Sequence, residues 1–200
     1  GTSGISRNGS LDKVFVKGAT DFIVSMGYWD DEDVPGIDMG TQEQREGTFV
    51  HELGHNLGLR HGGNDHVNYK PNYLSVMNYF YQMWGVYRDG EWRYDYSRIA
   101  PTISETSLKE PAGLGSTANG YGVMWFCPQF GEILYQPTNT LVDWNCNKHL
   151  DGTVRADVNW DGRLTSLKSQ NNWASITFAG GGTIGTLPTV SGLTANALMT

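Results

Sequence analysis

Residues 51–61 read His51-Glu52-Leu53-Gly54-His55-Asn56-Leu57-Gly58-Leu59-Arg60-His61. On an α-helix, residues i and i+4 project from nearly the same face. His51 and His55 can therefore both reach one cation, with zinc–nitrogen bonds of about 2.0–2.1 Å. Glu52 lies one step round the helix, where it can reach water at the metal more easily than the metal itself.

The residues that follow complete a candidate ligand set. Gly58 tolerates a positive φ, so the chain can leave the helix sharply and bring His61 back toward the first two histidines. Three protein ligands leave one position open for water, which is typical of a catalytic zinc site. The alternative interpretation is a helix face that carries ordinary, hydrogen-bonded histidines.

A helix over residues 41–57 is predicted from its ends and its pattern. Thr41 followed by Gln44 matches a capping box, and Gly58 is a natural stop. The apolar residues on the expected buried stripe are Phe49, Val50, Leu53 and Leu57.

A second motif, Leu74-Ser75-Val76-Met77-Asn78-Tyr79, follows the third histidine. The pattern H-E-x-x-H-x-x-G-x-x-H with a later Met-turn resembles the metzincin clan of zinc metallopeptidases. By that resemblance, Met77 lies in a tight turn beneath the ligands. Tyr79 looks like the tyrosine of the astacin, serralysin and pappalysin branches, which hydrogen-bonds the reaction intermediate. The branch is left open, and plain core packing is the alternative for both residues.

The resemblance implies an α+β, metzincin-like fold: a twisted sheet over an active-site helix, with an irregular, loop-rich C-terminal half. We expect an N-terminal subdomain at 1–60 and a C-terminal subdomain at 61–200. Strands are predicted at Val14–Val16 and Asp21–Met26, and the latter would edge the substrate cleft. Because so few strands precede the helix, we also expect the N-terminal subdomain to be incomplete and to partner a further segment of the same precursor.

A different metal signal lies at residues 143–162. Oxygen-bearing side chains alternate along two segments, and Gly162 stands sixth in the second, as in the opening of an EF-hand loop. The twelfth position is Lys168 rather than Glu, so a true EF-hand is not supported. Calcium is predicted here, with Asx-rich turns that satisfy their own backbone as the alternative. The candidate ligands are Asp143, Asn145, Asn147, Asp151, Asp157, Asn159 and Asp161.

The two cysteines, Cys127 and Cys146, contain no C-x-x-C pair, which argues against a thiolate zinc site. In a secreted chain they are expected to form one disulfide, worth about 3 kcal/mol in the chain-entropy model. Two unrelated buried thiols are the alternative. A short helix is also predicted at Ser104–Glu110, where Pro111 would end it.

Composition excludes two classes of partner. The net charge is −7 over 200 residues and no basic cluster is present, so a nucleic-acid partner is not expected. No apolar run approaches the roughly 18–20 residues of a membrane span. We expect a secreted, extracellular zinc endopeptidase that acts on proteins or peptides, with Glu52 and Tyr79 as its catalytic residues. A zinc amidase for small substrates and a non-catalytic zinc and calcium binding module are the alternatives.

Overall fold

The computed structural model describes residues 3–6, 22–27, 29 and 40–176. Within these ranges the chain forms one α-helix, one 3-10 turn and ten short strands. The helix is α1 (Gln42–Asn56), and the 3-10 turn is Ser116–Ala118. The strands are β1 (Gly4–Ser6), β2 (Phe22–Val24), β3 (Val86–Arg88), β4 (Glu91–Arg93), β5 (Thr102–Ser104), β6 (Leu108–Lys109), β7 (Val123–Cys127), β8 (Glu132–Gln136), β9 (Thr153–Val154) and β10 (Ser166–Lys168).

The strands pair two by two into antiparallel ladders: β1 with β2, β3 with β4, β5 with β10, β6 with β9 and β7 with β8. Strand β2 lies inside the predicted strand at Asp21–Met26, and both β1 and β2 contact α1. The predicted strand Val14–Val16 lies outside the described residues. The twisted sheet and the two-subdomain division implied by the family resemblance stay predictions.

Helix α1 begins as the sequence predicts. The Thr41 hydroxyl accepts the backbone N–H of Gln44 at 3.3 Å, and the Gln44 side chain accepts the N–H of Thr41 at 2.9 Å. This reciprocal capping box satisfies two N–H groups that a helix start otherwise leaves without partners.

The predicted apolar stripe of α1 is confirmed at Val50 and Leu57, which pack against the hydrophobic cluster beneath the helix, but is wrong at Phe49 and Leu53. Phe49 is 53% exposed and Leu53 is 36% exposed, although Phe49 contacts Phe22 of β2 at 5.2 Å between ring centroids. The buried residues of the helix are Gly47, Thr48, His51, Glu52 and Gly54.

Two glycines explain why this face of α1 is the buried one. The segment that carries Met77 and Gln82 packs so closely on Gly47 and Gly54 that no side chain would fit there. A Cβ added to Gly47 would lie 1.9 Å from the backbone oxygen of Gln82. A Cβ added to Gly54 would lie 2.2 Å from Sδ of Met77. The helix therefore lies directly on the segment that carries Met77 and Gln82.

Two hydrophobic clusters flank this segment. The smaller one lies beneath α1 and comprises Leu59, Tyr73, Val76, Met77 and Tyr96. The larger one is centred on β7, whose five residues are all buried, and on Trp144, which packs edge-on to Trp125 at 5.9 Å. A disulfide joins Cys127 to Cys146 in this cluster, as predicted.

The predicted short helix at Ser104–Glu110 is wrong. Strand β5 ends at Ser104, a turn follows, and β6 begins at Leu108. Glu105 and Glu110 are fully buried, and both hold backbone groups of later loops. Long-range contacts of these two side chains override the local preference for a helix.

In the part of the chain that the structure describes, α1 is too short and too polar to cross a membrane.

Candidate metal centre

The first two histidines project from the buried face of α1 and are fixed by backbone carbonyls. His51 donates from Nδ1 to the carbonyl of Val76 at 2.8 Å, and His55 donates from Nδ1 to the carbonyl of Leu59 at 2.9 Å. Because a carbonyl oxygen only accepts, these contacts place the proton on Nδ1 and leave the Nε2 lone pair free. Both rings are therefore oriented with a ligand atom facing away from the carbonyl.

The turn after the helix positions the third histidine. Gly58 has φ 83°, and the N–H of Leu59 returns to the carbonyl of Gly54 at 2.9 Å. This left-handed step ends the helix as the sequence predicts. It brings His61 back against the helix, with its ring stacked on His51 at 5.0 Å between centroids.

The three Nε2 atoms converge into a small triangle. They are separated by 3.1 Å from His51 to His55, 2.9 Å from His55 to His61 and 3.1 Å from His61 to His51. Nitrogens bound tetrahedrally to zinc at about 2.0–2.1 Å stand roughly 3.3 Å apart, so this spacing fits the ion. In the described part of the chain, these three side chains are the group of His, Cys, Asp or Glu residues that could hold a metal.

The electrostatics of the site also suit metal binding. Burial, together with the neighbouring imidazoles, lowers the pKa of His51 to about 3 and that of His61 to about 4. Burial lowers the pKa of His55 as well. All three rings are therefore neutral near pH 7, which is the form that binds a metal.

Glu52 lies on the same helix but does not belong to the histidine cluster. Its side chain is buried, and burial raises its pKa to about 7. Strand β1 passes over it so closely that a Cβ added to Gly4 would lie 2.6 Å from Oε1 of Glu52. A buried carboxylate with a pKa near neutrality is suited to exchange protons.

Tyr79 packs on the histidines, and Met77 lies in the cluster beneath α1. The Tyr79 ring stands 4.3 Å from His61 and 5.8 Å from His51 between centroids, and it is 37% exposed. Burial and the nearby Tyr69 and Glu52 raise the pKa of its hydroxyl. Met77 is fully buried in a tight turn, closed by the N–H of Asn78 to the carbonyl of Ser75 at 2.9 Å.

Two residues that sequence reasoning missed hold this region together. Asn172 is fully buried, and its Oδ1 accepts the hydroxyl of Ser75 at 2.7 Å and the backbone N–H of Ser97 at 3.0 Å. Lys70 is also buried and donates to Asp65 and to the carbonyls of Gly62 and Lys168. Some of their partners lie 98 or 99 residues away in the sequence, so no local pattern could reveal them.

The seven candidate calcium ligands fall in two loops, named here loop A (residues 143–151) and loop B (residues 157–165). Loop A lies between β8 and β9, and loop B lies between β9 and β10. In both, the side-chain oxygens accept hydrogen bonds from backbone N–H groups of the same loop. Loop B is connected to the metal centre through aromatic side chains. The ring centroid of Trp160 lies 6.5 Å from that of Tyr69, and the Tyr69 centroid lies 5.6 Å from that of Tyr79.

Three neutral histidines whose Nε2 atoms converge could hold a metal ion. Residues 33–105 match the family model of Peptidase M66. The matched segment contains α1, the three histidines, Glu52, Met77 and Tyr79. No match was found among curated proteins or among solved structures. The Peptidase M66 match supports a metallopeptidase, a hydrolase whose substrates are proteins.

Proposed function

We propose that the protein is a secreted zinc endopeptidase of the metzincin type, with His51, His55 and His61 as the zinc ligands. The observation that carries this proposal is the triangle of neutral Nε2 atoms beside the buried Glu52. Zinc is favoured over harder cations because the donors are all imidazole nitrogens. A non-catalytic zinc clamp is disfavoured, because it has no need of a buried carboxylate next to its first ligand.

Zinc held by these histidines would supply Lewis acidity toward water and toward the scissile carbonyl. Glu52 acts as the general base: its carboxylate takes a proton from the attacking water as the new C–O bond forms. The same carboxylic acid then delivers that proton to the nitrogen of the leaving amine as the C–N bond breaks. Burial raises the pKa of this carboxyl group, which favours its holding the proton between the two steps.

Tyr79 stabilises the oxyanion by donating a hydrogen bond from its hydroxyl. A tyrosine hydroxyl is protonated at neutral pH, and burial raises the pKa of Tyr79 further, so the donor is available. An extended substrate would bind along the cleft edge near β2 by adding its backbone to the strand pair. Secretion is supported by the disulfide between Cys127 and Cys146, since disulfides persist in oxidising compartments.

A peptide-library experiment tests the proposal. The zinc-loaded chain is incubated with a mixed library, and new termini are identified by mass spectrometry before and after chelation. Internal cleavage that disappears with the chelator and returns with zinc is expected. Absence of cleavage by a fully zinc-loaded chain would overturn the endopeptidase assignment.

Metal content provides a matched check of the ligand set. His61→Ala should lower bound zinc well below one equivalent, because it removes one of three ligands. His66→Ala is the control, since this exposed histidine lies outside the Nε2 triangle. Equal zinc content in the two variants would remove His61 from the site.

A further inference from the structure

A row of aromatic side chains extends away from the histidine centre. The Tyr79 ring centroid lies 4.3 Å from that of His61, and the Tyr69 centroid lies 5.6 Å from that of Tyr79. Trp160 of loop B follows at 6.5 Å from Tyr69. Phe126 of β7 ends the row, stacked on Trp160 at 4.9 Å with 15° between the ring planes. Centroid separations of about 4.5–7 Å are typical of interacting aromatic rings, so the row connects the metal centre to the larger hydrophobic cluster.

The backbone of this row is unusual at two positions. Tyr69 has φ 57° and Trp160 has φ 61°. Bulky residues rarely adopt the left-handed region, and such conformations persist only where the surrounding structure holds them. Glycine or asparagine would adopt it at lower conformational cost. An aromatic residue at both positions therefore indicates that the rings themselves are needed there.

The fold anchors loop B on either side of Trp160. Before it, Val158 is fully buried, and its carbonyl accepts the N–H of Phe126 at 3.1 Å. After it, the N–H of Gly162 donates to the carboxylate of Asp157 at 2.8 Å. A ring on an anchored loop binds a ligand without the entropy loss of ordering a mobile one.

Trp160 is open to solvent despite this support. The residue is 64% exposed, whereas Phe126 is 8% exposed. An indole can pack against a partner on each face, and Phe126 occupies one face. The rest of Trp160 is an exposed apolar surface, joined through Tyr69 to Tyr79 at the metal centre. A surface of this kind is available to a ligand that already contacts the centre.

The polar side chains next to Trp160 in loop B are engaged within the loop. One oxygen of Asp161 accepts the N–H of Arg163 at 2.9 Å, and the other accepts the side-chain amide of Asn159 at 3.1 Å. The carboxylate of Asp157 accepts two backbone N–H groups. The surface left for a ligand therefore consists of aromatic rings, which suits a large apolar or aromatic group.

We propose that Trp160 is a specificity-determining residue, which holds a large apolar or aromatic side chain of the peptide substrate close to the scissile bond. This inference rests on the proposed function, since it places the scissile bond at zinc on the three histidines. An extended peptide advances about 3.3–3.6 Å per residue, so a side chain within a few residues of that bond can reach the row.

The proposal assigns this preference to a part of the chain beyond the family match. Tyr69 and Tyr79 lie within residues 33–105, which match Peptidase M66, whereas Trp160 and Phe126 lie outside them. The fold brings the two parts together through ring contacts.

Binding of uncleavable probes to the full, zinc-loaded chain tests the proposal without any turnover. Each probe is an alanine-rich peptide in which a hydroxamate, a group that binds zinc, replaces the scissile bond. A single Phe is moved through the three positions on either side of the hydroxamate. The Kd of each probe is compared with that of the all-Ala probe, and a Lys series is measured in parallel.

Three variants are compared with the wild type. Trp160→Gly removes the ring, and glycine suits the positive φ of this position. Trp160→Phe is the conservative variant, because it keeps an aromatic ring. Trp92→Ala is the matched control, because it removes an indole from another exposed aromatic cluster, whose other rings are Tyr87 and Tyr135.

At one or more positions the wild type should bind the Phe probe roughly tenfold more tightly than the all-Ala probe. Trp160→Gly should reduce this preference to about threefold or less, with its Kd for the all-Ala probe within about twofold of the wild-type value. Trp160→Phe and Trp92→Ala should keep the preference. Unchanged binding of the all-Ala probe shows that the zinc centre is intact, so a purely structural role of Trp160 would not give this pattern.

A wild type that binds every Phe probe no better than the all-Ala probe would overturn the proposal. So would a preference that survives in Trp160→Gly, or tighter binding of the Lys probes than of the Phe probes. If Trp160→Gly does not fold, Trp160→Asn decides by the same comparison, because asparagine also tolerates the left-handed region.

The outcome is separable from that of the endopeptidase assignment. A Phe preference that depends on Trp160, in a chain that cleaves no peptide, supports the aromatic surface and counts against the peptidase. Internal cleavage of peptides by a chain without any Phe preference supports the peptidase and overturns the role of Trp160.

Discussion

The histidine centre on α1 and loop A both gather atoms that bind metals, but they differ in what else those atoms do. In the described structure, the histidine Nε2 atoms contact one another. Most oxygens of loop A accept N–H groups of the loop itself. The histidine Nε2 atoms therefore face one another, whereas the oxygens of loop A already accept hydrogen bonds from the backbone of the loop.

This difference shows why spacing is a stronger signal for one site than for the other. Three imidazoles turned toward each other have no ordinary structural role. Alternating Asp and Asn residues do have one, because they build turns. For the loops, the hydrogen bonds to their own backbone account for the Asx pattern.

The largest expected effect separates chemistry from metal binding at the histidine centre. Glu52→Gln should lower kcat by roughly 10²–10⁴, because a general base is lost. Zinc content and Tm should stay close to those of the wild type. Steady-state cleavage of a fluorogenic peptide, with metal analysis of the same samples, checks this. Asp157→Asn in loop B is the comparison, and its kcat should fall far less. A Glu52→Gln variant with near wild-type turnover would contradict the role of Glu52.

A smaller loss is expected at the oxyanion side. Tyr79→Phe should lower kcat by roughly 10–10³ while KM changes little, because the proposed hydrogen bond forms mainly in the transition state. Tyr69→Phe is the matched control, since Tyr69 packs on Tyr79 at 5.6 Å but is given no bond to the substrate. Equal losses in both variants would show that the aromatic cluster, and not the Tyr79 hydroxyl, is what matters.

The next prediction concerns the close contact between Gly47 of α1 and the backbone of Gln82. Gly47→Ala should destabilise the protein by about 3 kcal/mol, because the new methyl would collide with the carbonyl of Gln82. The same change in an unpacked helix stabilises by roughly 0.5–1 kcal/mol, so the sign is diagnostic. Chemical denaturation measures it. Glu46→Ala, on the exposed side, should change stability by less than about 0.5 kcal/mol. A stable Gly47→Ala protein would mean that α1 does not lie against Gln82.

The smallest expected effect concerns the link between the C-terminal region and the Met-turn. Asn172→Ala should cost about 2 kcal/mol, because it leaves Ser75 and the N–H of Ser97 without their acceptor. Thermal unfolding compares it with Asn119→Ala, an exposed asparagine. Identical Tm values for the two variants would show that the Asn172 network adds no stability.

The sequence predicted those parts of the site that are encoded locally. The capping box at Thr41, the left-handed Gly58, the convergence of the histidines and the tight turn at Met77 all depend on residues close together in the chain. The disulfide was predicted from the presence of two cysteines in a chain expected to be secreted. The helix caps and the convergence of the histidines rest on spacing, which a single sequence displays directly, whereas the turn at Met77 was expected from the resemblance to metzincins.

What the sequence did not predict depends on distant partners. Phe49 and Leu53 were expected in the core, but α1 packs through its glycines, and packing through small residues leaves no hydrophobic pattern. Residues 104–110 were expected to be helical, but Glu105 holds the backbone of loop B, more than 50 residues away. Lys70 and Asn172 likewise act across the fold. No periodicity encodes such contacts.

The close contact between Gly54 and Met77 has an evolutionary consequence. A Cβ at position 54 would lie 2.2 Å from Sδ of Met77 and 2.9 Å from the Tyr96 ring. The side chains at the two positions therefore compete for the same space, and selection is expected to act on their combined volume. In homologous chains a side chain at position 54 should accompany a smaller residue at position 77, so that the two sites covary. The fourth letter of H-E-L-G-H is then one half of a two-site constraint whose other half lies 23 residues downstream.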